Sequence, residues 1–139
     1  MSWLLDTNVI SEWTKPRPDE RVREWIAAAD ESLLFLSAVT IGEIWFGIEK
    51  LPAGPKRRGL EFFVAALADR FDNRILPIDQ LIAARWGIIM RQARSVGRTP
   101  EAVDGLIAAT ALTRGFTVVT RNTDHFAAFG VALHNPWTD

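Results

Sequence analysis

The sequence predicts a single α/β domain over residues 1–139, with a central, mostly parallel sheet of about five strands and helices on both faces. Three observations carry this. Short apolar runs alternate along the chain with longer segments whose apolar residues recur at helical spacing, the pattern of βα units joined by right-handed crossovers. The apolar runs are too continuous for strands with one wet face, so the sheet is covered on both sides. No repeat, low-complexity tract or Gly/Ser linker interrupts the alternation, and 48% hydrophobic with 24% charged residues is the balance of one globular core.

The elements follow in order. Residues 2–6 (Ser-Trp-Leu-Leu-Asp) read as the first strand, closed by an Asp-Thr-Asn turn. Residues 20–30 form a helix with Val22, Trp25, Ile26 and Ala29 on one face. Residues 32–37 are the second strand, leading into a helix over 40–51 through Ile41, Ile44, Trp45 and Ile48. Pro52-Ala53-Gly54-Pro55 stops it, residues 60–71 form another helix, and 74–78 a short third strand. Asp79, directly after that strand, reads as the N-cap of a long helix over 81–96 that Gly97 ends. Thr99-Pro100 opens the next helix with proline in its first turn, and Gly115 stands where its C-terminus needs a glycine. Residues 116–120 are the fourth strand, and 131–134 a weaker fifth before Asn135-Pro136-Trp137.

Composition removes several chemistries. There is no cysteine, which excludes a disulfide framework, a thiol nucleophile and cysteine-ligated metal, and which suits a cytoplasmic protein. With only His125 and His134, a three-histidine zinc site is impossible. No apolar run reaches the length of a membrane span, and the opening apolar run meets Asp6 rather than forming a leader. The net charge of −1 carries no bulk signature of a nucleic-acid binder. Its distribution says more, because residues 80–100 hold Arg85, Arg91, Arg94 and Arg98 and no acid. Arg91, Arg94 and Arg98 share one helix face, fit to track phosphates or simply to be solvated.

In a parallel sheet, ligands bind beyond the carboxyl ends of the strands. Asp6 ends the first strand, Glu43 lies in the helix after the second, Asp104 opens the helix before the fourth, and Asn122 and Asp124 follow the fourth. If strands one, two and four are neighbours, these groups converge. Two carboxylates 4 Å apart repel by roughly 4 kcal/mol at an effective dielectric of 20, so such a cluster takes up protons or binds a cation. An all-oxygen set favours Mg²⁺ or Mn²⁺, and such a site suits hydrolysis of a phosphodiester. Thr7, Ser37 and Thr120 place hydroxyls beside the same strand ends, as supports for ligands or metal waters. Bland roles compete: Thr40 and Glu43 match a capping box, and Asp104 in a first turn complements the helix dipole. Asp6, at the edge of a dry core, has the least to do structurally.

Asp6-Thr7-Asn8-Val9, Glu43, Asp104-Gly-Leu-Ile-Ala-Ala-Thr-Ala and Thr120-Arg-Asn-Thr-Asp-His-Phe, in this order and over essentially the whole chain, resemble the PIN-domain family. The VapC and FitB-like toxin branch is the nearest in pattern, down to the closing Asn135-Pro136-Trp137. The resemblance implies a Mg²⁺- or Mn²⁺-dependent endoribonuclease, the toxin of a type II toxin–antitoxin pair. It makes Asp6, Glu43 and Asp104 metal ligands, with Asn8 in the motif beside them. At the fourth acidic position this chain has Asn122, with Asp124 two residues on; Asp124 is placed ahead of Asn122. The resemblance also implies a homodimer, an RNA substrate and a cognate antitoxin protein wrapped over the toxin. Trp13, Trp45, Phe46, Phe62 and Phe63 supply aromatic surface for such interfaces, or else join the core.

Other classes fit less well. A haloacid-dehalogenase-type phosphatase expects a second acid two residues after the first, where this chain has Asn8. A receiver domain expects adjacent acids after the first strand and a late lysine, yet none follows Lys56. The alternative kept is a catalytically weak PIN-like module that binds RNA or a protein partner under control of a divalent ion.

Overall fold

The computed structural model describes residues 1–139. In strand β1 (Trp3–Leu5), Leu4 and Leu5 are both fully buried and face opposite ways, as successive strand residues must. Leu4 joins a core with Ile82, Ile89, Ile107 and Phe126 on one side of the sheet; Leu5 joins Val9, Val22, Leu67 and Phe71 on the other. The other strands are β2 (Leu34–Ser37), β3 (Ile75–Leu76), β4 (Thr117–Val119) and β5 (Leu133–His134). All pair in parallel, in the order β3-β2-β1-β4-β5. The expected mostly parallel sheet of about five strands is therefore entirely parallel.

Seven helices cover it: α1 (Thr7–Glu12), α2 (Glu20–Ala28), α3 (Ala38–Glu49), α4 (Pro55–Phe71), α5 (Gln80–Ser95), α6 (Ala102–Arg114) and α7 (Thr123–Phe126). The chain winds outward from β1 to β3 on one side, then returns to lay β4 against the other edge of β1. The strand order thus reverses between β1 and β4, which opens a crevice at their carboxyl ends. Because Leu5 pairs with Val119, the next residues, Asp6 and Thr120, are brought side by side, and Asp6 N–H donates to Val119 O at 2.9 Å.

Several boundaries differ from the sequence reading. The Asp-Thr-Asn turn is the start of α1, with Asp6 as its N-cap. The Thr40–Glu43 capping box does not form. Ser37 caps α3 instead, its hydroxyl accepting from Val39 N–H at 3.1 Å, so the helix begins earlier and Glu43 falls in its second turn. Helix α4 starts at Pro55 rather than residue 60, since proline is well placed at the first helical position. Pro100 lies just outside α6, whose N-cap is Glu101. Asp79 does cap α5, accepting from Ile82 N–H at 2.9 Å. No helix is long and apolar enough to cross a membrane.

Candidate active site

The carboxyl ends of β1 and β4 build the centre of the site. Asp6 is only 6% exposed, and its two oxygens are fixed separately. Oδ1 accepts from Thr7 N–H at 2.8 Å, the ordinary cap of α1, while Oδ2 accepts from the Thr120 hydroxyl at 2.8 Å and from Asn8 Nδ2 at 3.4 Å. Thr120 uses its full capacity: having donated to Asp6, its oxygen accepts from Asn122 N–H at 3.0 Å and Asn8 Nδ2 at 3.2 Å. Asn8 Oδ1 in turn accepts from Arg121 N–H at 3.3 Å, tying α1 to the segment after β4.

Glu43 reaches the site from α3, where its Oε1 accepts a short bond from the Thr7 hydroxyl. Asp104 enters from the first turn of α6, with its Oδ2 at 3.5 Å from His125 Nδ1. One groove is lined by Asp6, Thr7, Asn8, Glu43, Asp104 and Asn122, with Lys15, Glu101, Arg121 and His125 at its margins. Asp124 lines an adjoining depression with Arg98, Glu101, Asp104 and His125. Asp6, Glu43, Asp104 and Asn122 therefore share a groove, whereas Asp124 lines the adjoining depression. Ser37, buried as the cap of α3, stands outside the groove lining.

The carboxylates feel one another. Burial raises the pKa of Asp6 above its ordinary value, against the hydrogen bonds from Thr120 and Thr7 that favour its charge. Burial likewise raises Glu43; the Thr7 bond opposes this, while the charges of Asp6 and Glu101 add to it. Asp104 is pushed up to about 6, first by burial and then by the charge of Asp6. A divalent cation would relieve this repulsion, and the donor set is all oxygen, as a hard ion prefers. No three acidic or imidazole side chains close in tightly enough to clasp an ion directly.

Sequence reasoning missed Glu101 and His125. Glu101 was indistinguishable from a solvated helix-start acid, and His125 meets Asp104 only because α7 packs against α6.

The model of the PIN domain family matches residues 3–131. The chain belongs to the PIN domain family. This PIN domain is 42% identical over 137 residues to Toxin FitB of Neisseria gonorrhoeae, spanning 98% of this chain and 99% of that protein. It is 40% identical over 135 residues to VapC ribonuclease Y4jK of Sinorhizobium fredii, spanning 96% of each. Among solved structures, FitAcB from Neisseria gonorrhoeae matches with a TM-score of 0.93 and 40% identity over 99% of each chain. The PIN domain thus falls in the VapC and FitB-like toxin branch, and its groove lies at the switch point between β1 and β4.

Proposed function

We propose that this PIN domain is a divalent-metal-dependent endoribonuclease acting as the toxin of a type II toxin–antitoxin pair. The observation that carries the reading is the groove itself, which Asp6, Glu43 and Asp104 line together although burial penalises the charged form of each and the charge of Asp6 adds to this for Glu43 and Asp104. Asp6 also caps α1, but capping does not call for Glu43 and Asp104 beside it; a cationic ligand does. Relatives named as ribonucleases add the substrate class.

Asp6, Glu43 and Asp104 would hold Mg²⁺ or Mn²⁺. The fourth place goes to Asn122, through its carbonyl oxygen or a metal water, because it shares the groove with Asp6 and Glu43, whereas Asp124 lines the adjoining depression. The bound ion would polarise a phosphate oxygen and make water nucleophilic at neutral pH. The chain's own residues do the positioning. Thr120 and Asn8 fix the Asp6 carboxylate, Thr7 fixes Glu43, and Arg121 offers positive charge to the RNA strand at the groove margin.

The partner reading rests on the relatives and on the surface. A structure of FitAB bound to an IR36 DNA fragment matches with a TM-score of 0.93 at 40% identity. In this chain Trp45, Phe46 and Phe62 are exposed, while Trp13 and Phe63 pack against the core. The exposed aromatics suit the antitoxin and a second copy of the chain.

The test is cleavage of a small-RNA pool by antitoxin-free protein with Mg²⁺ or Mn²⁺. Asp6→Asn and Asp104→Asn should each lower the rate at least about a hundredfold while remaining folded, and EDTA should stop the wild-type reaction. Metal-dependent cleavage that persists in both variants would refute the assignment.

A further inference from the structure

Helix α1 ends in a carboxylate that the carboxylate site does not use. Glu12 is almost completely buried, with its side chain 4% exposed, and its Oε2 has the Lys15 ammonium at 3.0 Å as its one polar neighbour. Its other oxygen accepts from Asp19 N–H at 3.3 Å, at the N-cap of α2. One buried acid therefore pins both the middle and the end of the turn that follows α1. A buried carboxylate demands a cation, so the ammonium is held in place, whereas a free surface lysine would sample many rotamers.

The position of that ammonium is informative. Lys15 lines the catalytic groove on the α1 side, facing Arg121 on the β4 side. It also lines a second, adjoining depression with Thr14, Pro16, Pro55, Lys56, Gly59 and Phe63. Lys15 stands at the junction of the two, and Lys56 carries the positive charge onward without an acidic partner. The Lys15 side chain is half exposed, and its ammonium is paired with Glu12 by charge, with no hydrogen bond to Oε2. Its N–H donors are free to meet an anion in the groove.

We propose that Lys15, positioned by Glu12, binds an RNA phosphate neighbouring the one cleaved, and that Lys56 extends this contact along the strand as it leaves the groove between α1 and α4. The proposal rests on the ribonuclease reading and adds to it the direction of the substrate strand. Lys15 touches substrate; Glu12 is a positioning residue that acts through it.

The test uses the full chain and a single-stranded oligoribonucleotide that it cleaves, together with a truncated form ending at the first nucleotide beyond the cut on either side. Lys15→Ala should raise KM for the long substrate about tenfold, the loss of one charge-assisted hydrogen bond, with kcat within about twofold. The slope of log affinity against log salt should fall by about 0.7, the value for one phosphate of a single strand. Glu12→Gln should shift KM in the same direction, Lys15→Arg should restore it, and the truncated substrate should not distinguish Lys15→Ala from wild type. An unchanged KM and salt slope, or an equal loss on the long and truncated substrates, would overturn the proposal.

Binding of a fluorescein-labelled single-stranded oligoribonucleotide, followed by anisotropy in Ca²⁺, keeps the two readings apart. If wild type cleaves nothing, the ribonuclease reading fails while a Lys15-dependent, salt-sensitive affinity still supports the phosphate contact. Affinity equal in wild type and Lys15→Ala refutes it.

Discussion

Asp104 illustrates how a single residue records a conflict between stability and function. Its pKa rises from 3.8 to about 6 on folding, so the stability it allows is complete below pH 4 and is lost as pH rises through about 6. In chelator, Asp104→Asn should remove that loss and make the protein more stable than wild type at pH 8 by about 2 kcal/mol, with little difference at pH 4. Denaturant titrations at the two pH values measure this, and equal stability at pH 8 would count against the clustering of charge. Thr120 makes the opposite case. Its hydroxyl serves Asp6, Asn8 and Asn122 at once, and Thr120→Val keeps the shape while leaving buried polar groups unpaired. The variant should lose about 2 kcal/mol of stability and roughly tenfold or more in cleavage rate. A change in stability with full activity would separate Thr120 from the site.

At the scale of elements, the contact of α5 with α6 sets where Asp104 stands. Gly105, the next residue, is buried, and a Cβ there would lie 2.6 Å from Met90 Sδ and 3.0 Å from Trp86 Nε1. Trp86 has little freedom to yield, because its indole N–H donates to Ala102 O at 3.1 Å. Gly105→Ala gains helix propensity but overpacks this contact, and the net expectation is a loss of about 1 kcal/mol, read from the denaturation midpoint. A stabilised variant would show that the helices have room to spare. The capping of α3 by Ser37 rather than by the Thr40–Glu43 box matters in the same way. It releases Glu43 from the helix start and lets it meet Thr7 across the groove.

For the whole molecule, the groove predicts a ligand-linked stability. Mn²⁺ at about a hundred times its dissociation constant should add about 2.7 kcal/mol, raising Tm by on the order of 5–10 °C, and Asp6→Asn should abolish the shift. An equal shift in the variant would place the ion elsewhere. Much of this architecture was legible in the sequence. Alternating apolar runs and helical periods determined a covered parallel sheet, because burial on both faces leaves no other pattern. The motifs around Asp6, Glu43, Asp104 and Thr120 marked the strand ends that build the groove. The short helices α1 and α7 escaped notice, since six or four residues show too little periodicity. Only the tertiary structure decided that β1 and β4 are neighbours in register, that Asn122 shares the groove while Asp124 lines the adjoining depression, and that Glu12 is buried beside Lys15. Local sequence specifies periodicity, caps and turns, whereas proximity across 114 residues, as between Asp6 and Thr120, depends on strand order and helix packing.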